Sequence, residues 1–129
     1  MSLLKRSFGE CTWTPNGTLA VASTKFTLKL SKTGSSITVL FPEKLDAKTG
    51  TTSTFIALSK TLPVWARPSV ALCFYIAAKD AGTIGTTPGY LEIAVDGTVK
   101  IYPTNAKGAW TDSATSNSGM SAKAVTYIV

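Results

Sequence analysis

The chain has 129 residues, with 13 Lys and Arg against 7 Asp and Glu, so its formal net charge is +6 at pH 7. Its composition is 44% apolar and 16% charged, which argues against disorder and predicts a single β domain over residues 1–129. The sequence contains no histidine, which removes the usual general base, the usual triad member and the commonest metal ligand. We therefore expect a protein that is not an enzyme and that has no catalytic residue, metal ion or other cofactor.

The N-terminal residues 1–24 have a weak hydrophobic pattern. This pattern predicts a lead-in arm or edge strands before a sandwich formed by residues 25–129. Within the N-terminal segment, residues 16–18 (Asn-Gly-Thr) match the N-glycosylation sequon. Because Pro15 precedes them, the same residues also form a favoured turn sequence, and we interpret them as a turn.

A first hairpin is predicted after this segment. Residues 25–31 alternate apolar and polar side chains, and residues 37–41 alternate in phase with them. A two-residue turn at positions 33–34 predicts that Leu30 pairs with Ile37, which brings the apolar faces of both strands together.

Residues 70–77 are apolar on both faces, which predicts a central strand or a strand buried in a subunit contact. Cys73 lies within this run, and we expect a buried, unreactive thiol. A disulfide between Cys73 and Cys11 remains an open alternative. Further strands are predicted at residues 51–58 and 122–129, and loops at residues 43–50, 59–69, 79–88 and 105–117.

A second hairpin is predicted at residues 89–103, where two alternating runs meet at Asp96 and Gly97. We expect a three-residue loop with Gly97 in a left-handed bulge position, because this register places the apolar side chains of both strands on one face. It also places Tyr90 opposite Tyr102 on the outer face. About eight strands at this spacing predict an all-β fold, an antiparallel, jelly-roll-like β-sandwich.

The outer face of this hairpin provides candidate binding residues. Tyr90, Lys100 and Tyr102 lie on it, with Lys100 opposite Glu92, and tyrosine supplies rigid amphipathic contact area. Ordinary cross-strand pairing is the alternative explanation. Trp110 in a polar loop is the fourth candidate, because aromatic rings suit the apolar faces of sugars.

The Lys and Arg residues are scattered along the chain, so no nucleic-acid partner is expected. Lys25, Lys29 and Lys32 come closest to a patch. They form either a solvated strand face that discourages edge pairing or a contact for an anionic receptor such as a sialylated or sulfated glycan. No segment is long and apolar enough to predict membrane insertion.

Short motifs in the sequence resemble those of the C-terminal head domains of viral fibres and phage tail proteins. The motifs are residues 62–68 (LPVWARP), 89–93 (GYLEI), 96–99 (DGTV), 101–102 (IY), Trp110 and 125–128 (VTYI). Their order is similar, and the resemblance covers roughly residues 25–129. It implies an antiparallel sandwich that is assembled inside the host cell and stands as a homotrimer at the tip of a fibre or tail, on the virion surface. It further implies attachment to a host-cell receptor, often a glycan, and carries over no catalytic residue.

Two other functions stay open. A structural capsid or assembly component would bind sister subunits and turn a concentrated basic face towards nucleic acid. A secreted, lectin-like module would be distinguished by a glycosylated Asn16 and an oxidised cysteine pair.

Overall fold

The computed structural model describes residues 3–129, with side chains described from Phe8 onward. These residues form thirteen strands and one short 3₁₀ helix at Val64–Ala66. The predicted all-β, antiparallel sandwich is confirmed. The strands are β1 (Leu3–Cys11), β2 (Trp13–Pro15), β3 (Phe26–Thr33), β4 (Ser36–Phe41), β5 (Lys44–Thr49), β6 (Ile56–Leu58), β7 (Leu72–Ile76), β8 (Ala78–Asp80), β9 (Thr83–Ile84), β10 (Gly89–Ile93), β11 (Val99–Tyr102), β12 (Ser113–Met120) and β13 (Lys123–Ile128).

The strands form three sheets. The first has the order β1-β3-β4-β13, the second β2-β6-β11-β10-β7, and the third β5-β12-β8-β9. Trp13 of the second sheet contacts Phe26 and Phe41 of the first, with 5.9 Å between ring centroids in each pair. All three sheets contribute apolar side chains to one buried core. Since buried and outward side chains alternate along β3 and β10, the first two sheets each keep one face outside the core.

The N-terminal strands occupy sheet edges. β1 is the edge strand of the first sheet and β2 is the edge strand of the second. Met1 and Ser2 lie outside the described residues.

The hairpin of β10 and β11 has the predicted register. Ile93 pairs with Val99, and Tyr90 pairs with Tyr102. The loop between the strands ends at Gly97, whose φ is +89°. This is the left-handed conformation that the predicted bulge requires and that glycine adopts without a steric penalty.

The predicted register of β3 and β4 is wrong by two residues. Leu30 pairs with Val39 rather than with Ile37, because the turn residues are Gly34 and Ser35. Gly34 has a φ of +60°, and a type II′ turn requires a positive φ at its first central position. A shift of two residues preserves the alternation, so the apolar faces of both strands still point into the core.

Segments expected to be loops supply strands of the third sheet. The segment at residues 43–50 forms β5, which pairs Ala47 with Ser118 of β12. Ala47, Thr49 and Ser118 are buried, although both strands are largely polar. Short polar strands that pair across a long sequence separation leave little alternation to detect. The strand number therefore exceeds the eight that the sequence predicts.

Of the two alternatives for residues 70–77, the central strand is wrong, and a strand buried in a subunit contact stays a prediction. β7 forms one edge of the second sheet, and its partner among the described strands is β10. Leu72, Phe74 and Ile76 face inward, whereas Cys73 and Tyr75 are exposed on the outer face. The two-sided apolar pattern therefore marks an edge strand with an exposed outer face.

The expectation of a buried Cys73 is also wrong, because this thiol is exposed, while Cys11 is buried; both are free. Cys11 comes two residues before β2, and β2 and β7 are opposite edges of the five-stranded second sheet. At ~4.8 Å per strand spacing, these edges lie roughly 19 Å apart. Because a disulfide requires Cα atoms within ~7 Å, this fold does not bridge the two cysteines.

Candidate functional site

Three tyrosines share the outer face of the second sheet. Tyr90 of β10 pairs with Tyr75 of β7 on one side and with Tyr102 of β11 on the other. The rings of Tyr75 and Tyr90 are 5.8 Å apart between centroids, and Tyr75 is 59% exposed. We call Tyr75, Tyr90 and Tyr102 the tyrosine face. Its side chains are held in a row by three adjacent strands, because residues paired across a sheet project to the same side.

A lysine from the following loop lies over this face. The Lys107 ammonium nitrogen is 5.2 Å from the ring centroid of Tyr102 and 5.9 Å from that of Tyr90. It also donates a hydrogen bond of 2.6 Å to the Glu92 carboxylate. This hydrogen bond is the main reason why the pKa of Lys107 is raised. The cation is therefore held in place beside the aromatic rings by a carboxylate on the same sheet face.

Lys100 lies on the same outer face but has a different neighbour from the one expected. It pairs with Glu92 in the backbone register, as predicted. The Glu92 carboxylate, however, binds Lys107, and the Lys100 ammonium nitrogen lies 4.3 Å from the ring centroid of Phe55. The candidate surface therefore has a second cation–aromatic pair beside the tyrosine face.

The pKa values of two of the tyrosine hydroxyls, those of Tyr90 and Tyr102, are raised. The pKa of Tyr90 is raised, chiefly by a hydrogen bond with the Cys73 thiol. Burial raises the pKa of Tyr102, and the Glu92 carboxylate adds to the effect. At neutral pH both phenols can donate and accept hydrogen bonds, which suits recognition of a hydroxyl-rich ligand.

The expectation that Trp110 lies at the surface is wrong. Its side chain is 3% exposed and belongs to the core, and its backbone N–H donates to the Ser53 carbonyl at 2.9 Å. The next residue, Thr111, is fixed through its N–H and hydroxyl by the Asp80 carboxylate. Small polar neighbours made the segment resemble an exposed loop, but these contacts turn the indole inward.

Sequence reasoning missed two residues of this surface, Tyr75 and Lys107. Tyr75 lies in a run that is apolar on both faces, so alternation did not indicate which side is outside. Lys107 lies in a loop, where no periodicity indicates direction. The positive φ of Lys107, +57°, belongs to a backbone turn that sequence patterns do not specify for lysine.

Asn16 has the structural role expected of a turn residue. Its side-chain oxygen accepts hydrogen bonds from the backbone N–H groups of Thr54 and Phe55, at 2.8 and 2.9 Å. Its amide nitrogen donates to the Thr54 hydroxyl at 2.9 Å. The side chain therefore ties the turn after β2 to the segment that leads into β6.

The carboxylates of the described residues have mostly structural partners. Burial raises the pKa of Asp46, but hydrogen bonds from the Thr24 hydroxyl and backbone N–H, together with the Asp46 backbone N–H and the charge of Lys44, lower it, and the net shift is downward. No group of three or more Cys, Asp or Glu side chains that could hold a metal ion occurs in the described part of the chain. In the same residues, no helix has the length and apolarity to span a bilayer.

No family model and no curated protein matches this chain. The function must therefore be argued from the fold and from the contacts of the tyrosine face.

Proposed function

We propose that this chain is a non-enzymatic head domain of a viral fibre or phage tail fibre. In this proposal it stands as a homotrimer at the virion surface and attaches the particle to a glycan receptor on the host cell. The sandwich fold agrees with the resemblance of its motifs to such heads. The tyrosine face, with Lys107 fixed beside it, is the observation that carries the proposal.

The tyrosine face has the chemistry of a carbohydrate-binding surface. Aromatic rings offer flat apolar area for the C–H faces of pyranose rings, and neutral phenols add hydrogen bonds. Tyrosine orders few rotatable bonds on binding, so its contacts have a low entropic penalty. The Lys107–Glu92 pair supplies a fixed donor and a fixed acceptor at the border of the face.

Self-association is supported by the exposed apolar side chains at two sheet edges. Val70, just before β7, is 63% exposed, and Ile128, at the end of β13, is 66% exposed. Both β7 and β13 are edge strands, and an exposed strand edge is a template for pairing with another chain. Packing of these edges between copies would give the homotrimer.

The two other functions have less support. For a secreted lectin-like module, the distinguishing sequon at Asn16 is engaged in hydrogen bonds, and the two cysteines are free. For a capsid component, the distinguishing feature is a concentrated basic face. Lys25 is paired with Glu10, with the charged atoms 3.6 Å apart, and Lys107 is paired with Glu92, so neither strengthens such a face.

We expect the double variant Tyr90→Ala, Tyr102→Ala to stay folded and to lose at least tenfold in binding to receptor-bearing cells. Both rings lie on the outer face, and aromatic anchors at the centre of a binding surface contribute about 2 kcal/mol or more each. Fluorescently labelled chain, titrated onto a panel of animal and bacterial cells and onto immobilised glycans, gives the apparent affinity.

The matched control is Val21→Ala, Val64→Ala, which truncates two side chains that are 55% and 77% exposed and do not belong to the tyrosine face. This control should bind like the unaltered chain. If the tyrosine variant stays folded and binds cells as tightly as the control, the tyrosine face is not the attachment surface.

A further inference from the structure

An open cleft of about 410 Å³ lies beside the tyrosine face, at the end of β7. Its walls are Tyr75 on one side, the loop at residues 85–88 on the second, and the turn that connects β12 to β13 on the third. This volume is in the range of small-ligand sites in proteins. The cleft therefore has room for a single sugar ring.

The lining of the cleft is rich in hydroxyl groups. Thr86, Thr87 and Ser121 contribute to it, and Thr86 and Thr87 are exposed. Among the described residues, neither of these threonine hydroxyls has a hydrogen-bond partner. Their donors and acceptors are thus available to a ligand with hydroxyl groups of its own.

The cleft also contains a positive charge. Lys123, the first residue of β13, lines it, and within the described part of the chain its ammonium group has no ion-pair partner. Lys123 alternates with Val125 and Tyr127, which are buried in the core, so its side chain lies on the inward side of β13 at the end of the sandwich. This position makes Lys123 part of the cleft wall rather than of the open face of the strand.

Two backbone hydrogen bonds hold the walls of the cleft in place. Ser121 donates from its N–H to the Ala77 carbonyl at 3.0 Å, and Gly85 donates to the Ala78 carbonyl at 3.3 Å. Both walls are therefore attached to the junction of β7 and β8, one at Ala77 and the other at Ala78, the first residue of β8. A pre-formed site loses less conformational entropy when a ligand binds.

Tyr75 belongs both to the cleft and to the tyrosine face, because its ring packs against that of Tyr90 at 5.8 Å. A glycan whose terminal ring occupies the cleft would therefore extend its next rings across Tyr90 and Tyr102. The cleft and the tyrosine face therefore form one continuous surface, with Lys123 and the hydroxyl groups at one end and the aromatic rings at the other.

We infer that this cleft binds a pyranose that carries a carboxylate, with the Lys123 ammonium paired to the carboxylate and the threonine hydroxyls bonded to the ring substituents. This inference rests on the proposed function and names the sugar class and its site. The carboxylate matches the lone cation of the lining and the net positive charge of the chain. Two sources share this chemistry: terminal sialic acid of animal-cell glycans and uronic acid of bacterial surface polysaccharides.

The test is a titration of the ¹⁵N-labelled chain, followed by amide chemical shifts, with 3′-sialyllactose, a glucuronic-acid disaccharide and lactose. We expect at least one of the acidic sugars to shift the amides of Thr86, Thr87, Ser121 and Lys123. Lactose, which is neutral, should bind at least tenfold more weakly. The acidic sugar that binds identifies the source of the ligand.

Lys123→Met keeps the apolar stem of the side chain and removes its charge. We expect it to weaken binding of the acidic sugar at least tenfold and to leave lactose binding unchanged. Lys29→Met removes one charge from the exposed face of β3 and should bind the acidic sugar like the unaltered chain.

The inference is overturned if Lys123→Met binds the acidic sugars as the unaltered chain does, if neither sugar shifts the cleft amides, or if the shifts are confined to Tyr90, Tyr102 and Lys107. Cell binding separates this failure from failure of the proposed function. If Lys123→Met binds cells normally while the Tyr90→Ala, Tyr102→Ala variant does not, the attachment function stands and the cleft is not its sugar site.

Discussion

Replacing Trp13 with alanine should lower the free energy of unfolding by about 4 kcal/mol, the largest effect that we expect from a single truncation in this chain. Trp13 is fully buried, and its ring contacts Phe26 and Phe41 across the sandwich. Removal of the indole leaves a cavity between the first two sheets, where β2 packs against β3 and β4. Surrounding side chains fill such a cavity incompletely, so both burial and dispersion contacts are lost.

Urea unfolding at one fixed chain concentration measures this effect, since self-association makes the apparent stability depend on concentration. Trp13→Phe should lose only about 1.5 kcal/mol. It keeps an aromatic ring and removes the indole N–H, which is buried without a hydrogen-bond partner in the described structure. Val64→Ala, at a site that is 77% exposed, should change stability by less than about 0.5 kcal/mol. A Trp13→Ala protein as stable as the Val64→Ala protein would contradict the packing described here.

Replacing Gly50 with alanine should destabilise the fold by about 3 kcal/mol or more. A Cβ atom at this position would overlap the Thr18 carbonyl oxygen and lie 2.7 Å from the Thr18 carbonyl carbon. Both are backbone atoms, so no rotamer change relieves the overlap. The loop before β3 and the turn after β5 would have to separate, which strains the hydrogen bond of 2.9 Å from the Thr18 N–H to the Thr52 hydroxyl.

Gly108→Ala is the matched control. A Cβ atom there would meet its nearest neighbour, the Thr104 hydroxyl oxygen, at 3.8 Å, which is ordinary van der Waals contact. We expect a change within about 0.5 kcal/mol, measured by the same urea unfolding. Equal midpoints for the two glycine variants would mean that the approach of Thr18 to Gly50 is not as close as the structure shows.

The sequence predicts strands well where one face of the strand is buried and the other is exposed to solvent. Residues 26–30 and 37–41 alternate strictly, and both form strands with the expected side buried. The Tyr90–Tyr102 pair was predictable for the same reason, because only one register of its hairpin buries both apolar sets. The turn was harder to predict, because Gly34 can be the second turn residue, after Thr33, or the first, before Ser35. The structure has the second arrangement, with Gly34 at a φ of +60°.

The sequence predicts the rest poorly because the deciding contacts are distant in the chain. β5 and β12 are polar and become strands by pairing with distant partners, β5 with β12 and β12 also with β8. Trp110 turns inward because Ser53 fixes its own backbone N–H and Asp80 fixes the next residue, Thr111, and neither contact leaves a local pattern. Tyr75 lies in an edge strand that is apolar on both faces, and Lys107 lies in a loop. In neither segment does the sequence pattern indicate which way a side chain points.

The native mass of the purified chain, measured by light scattering with and without reductant, tests the homotrimeric head domain most directly. The account predicts a stable species of three times the 13.5 kDa of one chain. Because both cysteines are free, reductant should leave this mass unchanged. A clean monomer over the whole concentration range would contradict the trimeric fibre head, and large closed or polydisperse assemblies would instead support a capsid or assembly component.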